Sequence, residues 1–312
     1  MRAALLLNPR AGTLLARPEL LTLIPAALRD AGLEVLEVEA GGDLDTRLEA
    51  ALALQPDVVV VGGGDGTIRT AAARLAGGPV PMAILPLGTL NLLARDLGLP
   101  LAPEEAAAAL ARATPRRIDI GLVNGEVFLC QSVIGLPNRM GLHREKVRGR
   151  GGLAPRWRVV VALARALLHH PPLRLGLRTG GGEMRRVWSR AISVVNNAYD
   201  EAPGHFFHRP RLDTGRLSWH VVRQFDLLWI ARILTSMALG RWRSQPGLIS
   251  GEAETLDILS RRSHLRVMND GEAMLLRTPL RYSIRPRALL VLASPQPAMA
   301  APPLPMAAEG LA

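Results

Sequence analysis

The residues best suited to chemistry form one run, Gly62-Gly63-Gly64-Asp65-Gly66-Thr67, directly after the apolar stretch Val58–Val61. Glycines carry no Cβ, so a backbone rich in them can approach a phosphate closely. A helix starting there offers free N–H groups and a partial positive charge. The competing reading is a tight turn with Asp65 as helix N-cap, but such a turn does not need a run of glycines around an Asp. The run follows the third expected strand and not the first, which separates it from a dinucleotide-binding fingerprint. A second turn, Leu85-Pro86-Leu87-Gly88-Thr89-Leu90-Asn91, offers Gly88 and Thr89 as donors, with Asn91 as a candidate helix cap. A third, Asn8-Pro9-Arg10-Ala11-Gly12, follows the first strand. Strand C-termini share one edge of a parallel sheet, so these turns are expected to converge on one cleft.

The other carboxylates lie far along the chain. Asn269-Asp270-Gly271-Glu272 carries the Asp-Gly pair of a type I′ hairpin. Glu272, just past that turn, is placed to reach into the cleft and take a proton from an attacking hydroxyl. Arg209–Leu217 reads as a turn before a strand, with weak metal-binding potential around Asp213. The seven histidines show no metal-ligand spacing, so surface or packing roles are expected for them. Cys130 is the sole cysteine, which excludes a disulfide within the chain and a cysteine-rich zinc site. Lys146 is the sole lysine, which excludes a P-loop and a protein-kinase strand lysine. Phosphate would therefore be held by backbone N–H groups, arginine and metal. The formal net charge of +11 predicts attraction to nucleotide phosphates, nucleic acid or an anionic membrane.

The elements that must position these residues alternate in the first third of the chain. Strands are expected at Ala3–Leu7, Leu33–Val38, Asp57–Val61 and Val80–Leu85. Helices are expected at Pro18–Ala31, Asp43–Leu54, Thr67–Leu75, Asn91–Leu97 and Pro103–Arg112. That alternation predicts a Rossmann-like parallel sheet with helices on both faces, so an α/β unit over 1–118. From Ile118 onward short strands dominate: Ile118–Leu122, Val127–Gln131, Ala191–Asn196, Leu217–Val222, Thr255–Leu259, Leu265–Met268, Met274–Leu276, Arg281–Ile284 and Ala288–Leu292. They predict an all-β unit, an antiparallel β-sandwich, over 119–293. Helical inserts are expected at Arg156–His169 and Leu227–Gly240, a basic Gly-rich loop at Arg139–Gly152, and a disordered Pro/Ala-rich tail over 294–312. No apolar run of about 20 residues is present, the length a spanning helix needs.

Taken in order, these pieces resemble the diacylglycerol kinase catalytic-domain family, which includes bacterial lipid kinases and sphingosine kinases. The resemblance runs from Leu5 to about Leu292. It rests on Asn8–Gly12, Gly63–Thr67, Pro86–Asn91, Ala94–Gly98, Arg117–Gly121, Ser193–Tyr199, Asp213-Thr214-Gly215 and Asp270-Gly271-Glu272. It implies ATP and Mg²⁺ as cofactors, with nucleotide-binding residues Asn8, Gly62, Gly63, Gly64, Asp65, Gly66, Thr67, Gly88 and Thr89. It implies Glu272 and Asp65 as catalytic residues, with Glu272 as general base and the choice between the two open, and Asp119 and Asp213 as metal-associated residues. Three departures stand out. Ala11-Gly12-Thr13 replaces a Ser and then a Gly-Lys of many relatives, Leu92 replaces an Asp, and Thr214 replaces the second Asp of Asp-Asp-Gly, a structural Mg²⁺ ligand in some bacterial members.

The expected function is ATP-dependent transfer of a phosphoryl group to a hydroxyl of diacylglycerol, a sphingoid base or a related lipid. The rivals are a kinase of a soluble substrate, of the NAD kinase or phosphofructokinase type, and a lipid-binding protein that has lost catalysis. Expected partners are the lipid, a peripheral anionic membrane surface and a second copy of the chain, with no nucleic acid. The expected location is cytoplasmic and peripherally membrane-associated. Trp229, Trp242 and the arginines around Leu227–Gly240 are candidates for the membrane interface, or for packing on the sandwich.

Overall fold

The computed structural model describes residues 1–36, 38, 41–135, 172–204, 207–224 and 226–295. The expected helix Arg156–His169, the basic loop Arg139–Gly152 and most of the 294–312 tail lie outside the described residues.

The N-terminal sheet forms around strands that are apolar on both faces. β1 (Arg2–Leu7), β2 (Glu34–Leu36), β3 (Val58–Gly63) and β4 (Met82–Pro86) pair in parallel in the order β2-β1-β3-β4. Val58, Val59, Val60 and Val61 are each 0% exposed, which is why β3 reads as an unbroken apolar run. One face packs on helices α2 (Leu20–Asp30) and α6 (Pro103–Ala109) through Ala3, Val58, Val60 and Leu85. The other packs on α3 (Leu44–Ala53) and α4 (Asp65–Leu75) through Ala4, Leu6, Val59 and Val61. Two short helices, α1 (Gly12–Ala16) and α5 (Leu92–Asp96), follow β1 and β4 directly.

The second unit is an antiparallel sandwich. Its six-stranded sheet runs β12 (Leu248–Ala253), β11 (Leu217–Val222), β10 (Ala191–Asn196), β7 (Gln131–Gly135), β14 (His264–Asn269), β15 (Glu272–Arg277). Facing it are β13 (Thr255–Ser260), β8 (Leu173–Thr179) and β9 (Arg185–Ser189), continuous with β16 (Leu280–Ala293), β5 (Thr114–Val123) and β6 (Glu126–Phe128). Phe128, Ile134, Ile192, Val194, Leu217, Leu256 and Tyr282 fill the space between the sheets.

Two strands join the units. β5 and β16 pair antiparallel from Thr114↔Ala293 to Val123↔Tyr282, and Val291 also pairs in parallel with Met82 of β4. The division at 118/119 thus falls inside the single strand β5. Several sequence expectations are corrected. Arg281–Ile284 and Ala288–Leu292 are one strand, interrupted by a bulge where Pro286 removes a ladder donor and Arg287 adopts φ 49°. Val127–Gln131 is divided between β6 and β7, and β8, β9 and β12 were not expected at all.

The helix expected over Leu227–Gly240 is present as α7 (Leu227–Ala238), capped by the Asp226 carboxylate on the Trp229 N–H. Trp229 is buried and its Nε1 donates to the Pro246 carbonyl at 2.9 Å. Trp242 is buried against His220, with ring centroids 5.1 Å apart. Trp229 thus anchors the helix and Trp242 the turn after it, and the residues turned outward include Leu228, Arg232, Leu234 and Leu239. His220 is a packing histidine: burial, with Arg243 nearby, lowers its pKa to about 4 and keeps the ring neutral.

Candidate functional site

The three turns meet as expected. The Asn8 N–H donates to the Gly62 carbonyl at 2.8 Å, and its side-chain Nδ2 donates to Thr67 Oγ1 at 2.8 Å. Leu87 N donates to the Gly63 carbonyl at 3.1 Å, and Thr13 N to the Leu87 carbonyl at 3.3 Å. Thr89 lies exposed beside Gly88.

The glycines are explained largely by what crowds them. A methyl group at Gly62 would sit 2.4 Å from Leu7 Cδ2, and one at Gly63 would sit 2.5 Å from Thr67 Cβ. A methyl group at Gly88 would lie 2.6 Å from Gly64 Cα, so these turns touch backbone to backbone. We expect Gly88→Ala to push them apart and cost about 1–3 kcal/mol of stability. Gly12→Ala, where no atom lies within 4 Å, is the matched control with little effect. Urea unfolding midpoints of the two variants check this, and equal midpoints would remove the backbone contact as the reason for Gly88.

Asp65 does not cap its own helix. Gly64 is the N-cap of α4, with no side-chain capping bond. The Asp65 carboxylate instead accepts from Leu92 N at 2.9 Å and Asn91 N at 3.2 Å, capping α5 across the cleft. Burial pushes its carboxyl above the usual range, and the Leu92 and Asn91 N–H groups pull partly back. Asn91, at φ 50°, does not cap α5 with its side chain, which accepts from Gly88 N and donates to the Gly88 carbonyl. The start of α4 is thereby left without a side-chain cap from its N-cap residue, and a helix start of this kind suits an anion.

The carboxylate that reaches this helix start comes from the sandwich. Asp270 and Gly271 take φ 48° and 91°, as a type I′ turn requires. The Asp270 carboxylate is buried and accepts from Leu129, Cys130 and Gln131 N at 2.6, 2.8 and 3.0 Å, which fixes the hairpin. Burial pushes that carboxyl up, against the pull of those N–H groups. Glu272 follows, with its side chain 52% exposed. A methyl group at Gly66 would be 1.8 Å from Glu272 Oε1, so the carboxylate lies directly over the glycine run. Arg69 Nη2 donates to Glu272 Oε2 at 2.5 Å. Arg69 was not foreseen as a site residue. The available signal was its position one helical turn beyond Asp65.

The expected metal residues are placed otherwise. Asp119 is fully buried, and its carboxylate oxygens accept from Gly215 N at 2.7 Å and Arg287 N at 2.8 Å. Asp213 faces Arg211 at 3.4 Å and Arg116 at 3.9 Å. Thr214 turns its N–H and hydroxyl onto Asn197 Oδ1 at 2.9 and 2.5 Å. No group of three or more His, Cys, Asp or Glu able to hold a metal occurs among the described residues. Asp119 is engaged in backbone bracing and Asp213 in ion pairs with arginine, so neither carboxylate is left uncommitted for a protein-held Mg²⁺. Sequence reasoning also missed the buried pair behind the cleft, where Arg209 Nε and Nη2 donate to Asp96 Oδ2 at 2.9 and 2.6 Å. The Cys130 thiol sits there too, at 3.1 Å from Arg209 Nη2, and burial pushes its pKa well up.

Comparisons with known proteins show what the chain is similar to. Residues 2–123 match the family described as the diacylglycerol kinase catalytic domain. A protein of Pseudomonas aeruginosa (strain UCBPP-PA14) named "Probable lipid kinase YegS-like" is 45% identical over 119 residues, covering 37% of this chain and 39% of the relative. A diacylglycerol kinase of Mycobacterium tuberculosis is 38% identical over 104 residues, covering 32% of this chain and 34% of the relative. The matched stretch thus spans well under half the length of these relatives. Among solved structures, a diacylglycerol kinase from Bacillus anthracis superposes with TM-score 0.64 at 20% identity, covering 94% of this chain and 97% of that one. An NAD kinase from Archaeoglobus fulgidus in complex with ATP superposes with TM-score 0.50 at 16% identity, covering 94% and 93%. The structural likenesses show a shared two-unit fold. Residues 2–123 are thus similar to the diacylglycerol kinase catalytic domain.

Proposed function

We propose that the protein is an ATP-dependent lipid kinase, transferring the γ-phosphoryl group of ATP to a hydroxyl of diacylglycerol, a sphingoid base or a related lipid. The observation that carries this reading is the Glu272 carboxylate, delivered by the sandwich onto the start of α4. ATP phosphates would lie against the first-turn N–H groups of α4 and the Gly88–Thr89 turn, with Mg²⁺ arriving on the nucleotide's own phosphates. The lipid hydroxyl oxygen bonds to the γ-phosphorus, the β–γ bridging bond breaks, and ADP leaves. Glu272 takes the hydroxyl proton and later returns it to solvent. Asp65, partly buried and engaged at α5, holds the two turns in register.

No described helix is long and apolar enough to cross a membrane. A lipid substrate would be met at a bilayer surface. The outward face of α7 supports docking on an anionic bilayer. Leu228, Leu234 and Leu239 are 70, 49 and 64% exposed with Arg232 among them, on a chain of net charge +11. A cytoplasmic, peripheral location accords with this.

The test is purified protein with labelled ATP, offered diacylglycerol and sphingosine in phosphatidylglycerol vesicles and, separately, NAD. We expect label in a lipid, with vesicle binding that weakens as salt rises. Label in NAD and in no lipid overturns the reading in favour of the soluble-substrate rival. No transfer despite ATP and vesicle binding favours the lipid-binding rival.

A further inference from the structure

We propose that Arg69 is the positioning residue for Glu272, anchoring one carboxylate oxygen so that the other is presented over the glycine run. The inference rests on the kinase reading above and assigns a role to a residue outside the nucleotide turns. Glu272 stands on a rigid hairpin but carries a long, half-exposed side chain. Left alone, such a side chain samples several rotamers, and holding it in one costs entropy. Arg69 supplies the restraint. Its side chain is only 14% exposed and rises from α4, the helix that starts in the glycine run.

The two oxygens are then divided. Oε2 accepts from Arg69 Nη2 at 2.5 Å. Oε1 points at Gly66, where any side chain would strike it at 1.8 Å. An oxygen already bonded to a guanidinium is a poor proton acceptor, whereas its partner keeps its lone pairs. The hydroxyl proton is therefore received at Oε1, the oxygen nearest the phosphate cradle. The glycine at 66 serves this carboxylate, while those at 62, 63 and 88 serve the packing of the turns.

Since a misplacement of about 1 Å can cost 10²-fold in rate, we expect Arg69→Ala to lower kcat about ten- to a hundred-fold, with the KM for ATP changed less than about two-fold. Arg69→Lys should recover much of kcat, and guanidinium added to Arg69→Ala should recover part. A merely structural role would respond to neither. The pair is partly exposed, so the unfolding midpoint should move little. An Arg69→Ala enzyme with wild-type kcat, or one whose loss appears only as lower thermal stability, overturns the inference. Glu272→Gln is assayed beside it. If that variant is inactive while Arg69→Ala is fully active, the inference fails and the kinase reading stands. If Glu272→Gln is itself active, the base assignment fails first.

Discussion

Glu272→Gln is expected to lower kcat by about 10²–10⁴-fold, the range contributed by a positioned general base. The amide keeps the size of the side chain and can still accept from Arg69, so the geometry over Gly66 is preserved. What disappears is the basic oxygen. ATP affinity should stay within about two-fold, because Glu272 approaches the cradle from the sandwich and supplies no donor to phosphate. Stability should hardly change, since a half-exposed ion pair is worth about 0–1 kcal/mol. Steady-state kinetics, nucleotide binding and urea unfolding on one preparation separate the three expectations. Near-normal turnover would take Glu272 out of the mechanism.

Arg209→Met is expected to have the largest effect on stability, about 3–5 kcal/mol, the cost of breaking a buried ion pair from one side. Arg209 is 1% exposed and Asp96 is 5% exposed. Beyond the carboxylate, Arg209 Nη1 donates to the Leu129 and Asn196 carbonyls, each at 2.7 Å. Methionine fills similar space but leaves the Asp96 charge and two carbonyls without these donors. Domain stabilities are about 5–15 kcal/mol, so the loss is a large share of the total. Urea denaturation measures it. Asp96→Asn combined with Arg209→Met should recover part, because the stranded charge is then gone. A single-variant loss below about 1 kcal/mol would contradict the account of the pair as buried and dry.

What the sequence disclosed was local. The Val58–Val61 run, the glycines and the Asp-Gly turn each announce a backbone shape within a few residues, and each shape is found. The contacts that complete the site are not local. Arg69 and Glu272 lie 203 positions apart, and Asp96 and Arg209 lie 113 apart. Nothing in either residue's surroundings names its partner, because the partner is set by how the sandwich approaches the sheet. Burial also redirected residues whose type suggested chemistry. Asp119, fully buried, and Asp65, partly buried, keep backbone N–H groups satisfied, and the tryptophans around α7 face inward because each indole N–H finds a carbonyl there. In β8 the alternation of Leu173, Leu175 and Leu177 with Arg174, Gly176 and Arg178 was present as a period-two signal. Pro286 gave the opposite impression, of a break in β16 that the bulge in fact absorbs.

The pairing of β16 with β4 also governs the order in which this chain can be made. β4 has β3 on one side, and its other side is closed only when Val291 arrives opposite Met82. While the chain is being synthesised, the first unit therefore carries an open strand edge for some two hundred residues of elongation. Such edges invite pairing with neighbouring chains, and contacts so distant in sequence form slowly. The unit that carries the glycine run thus reaches its final form only after the sandwich has been translated, and a fragment ending near residue 123 would retain a sticky border that the full chain seals last.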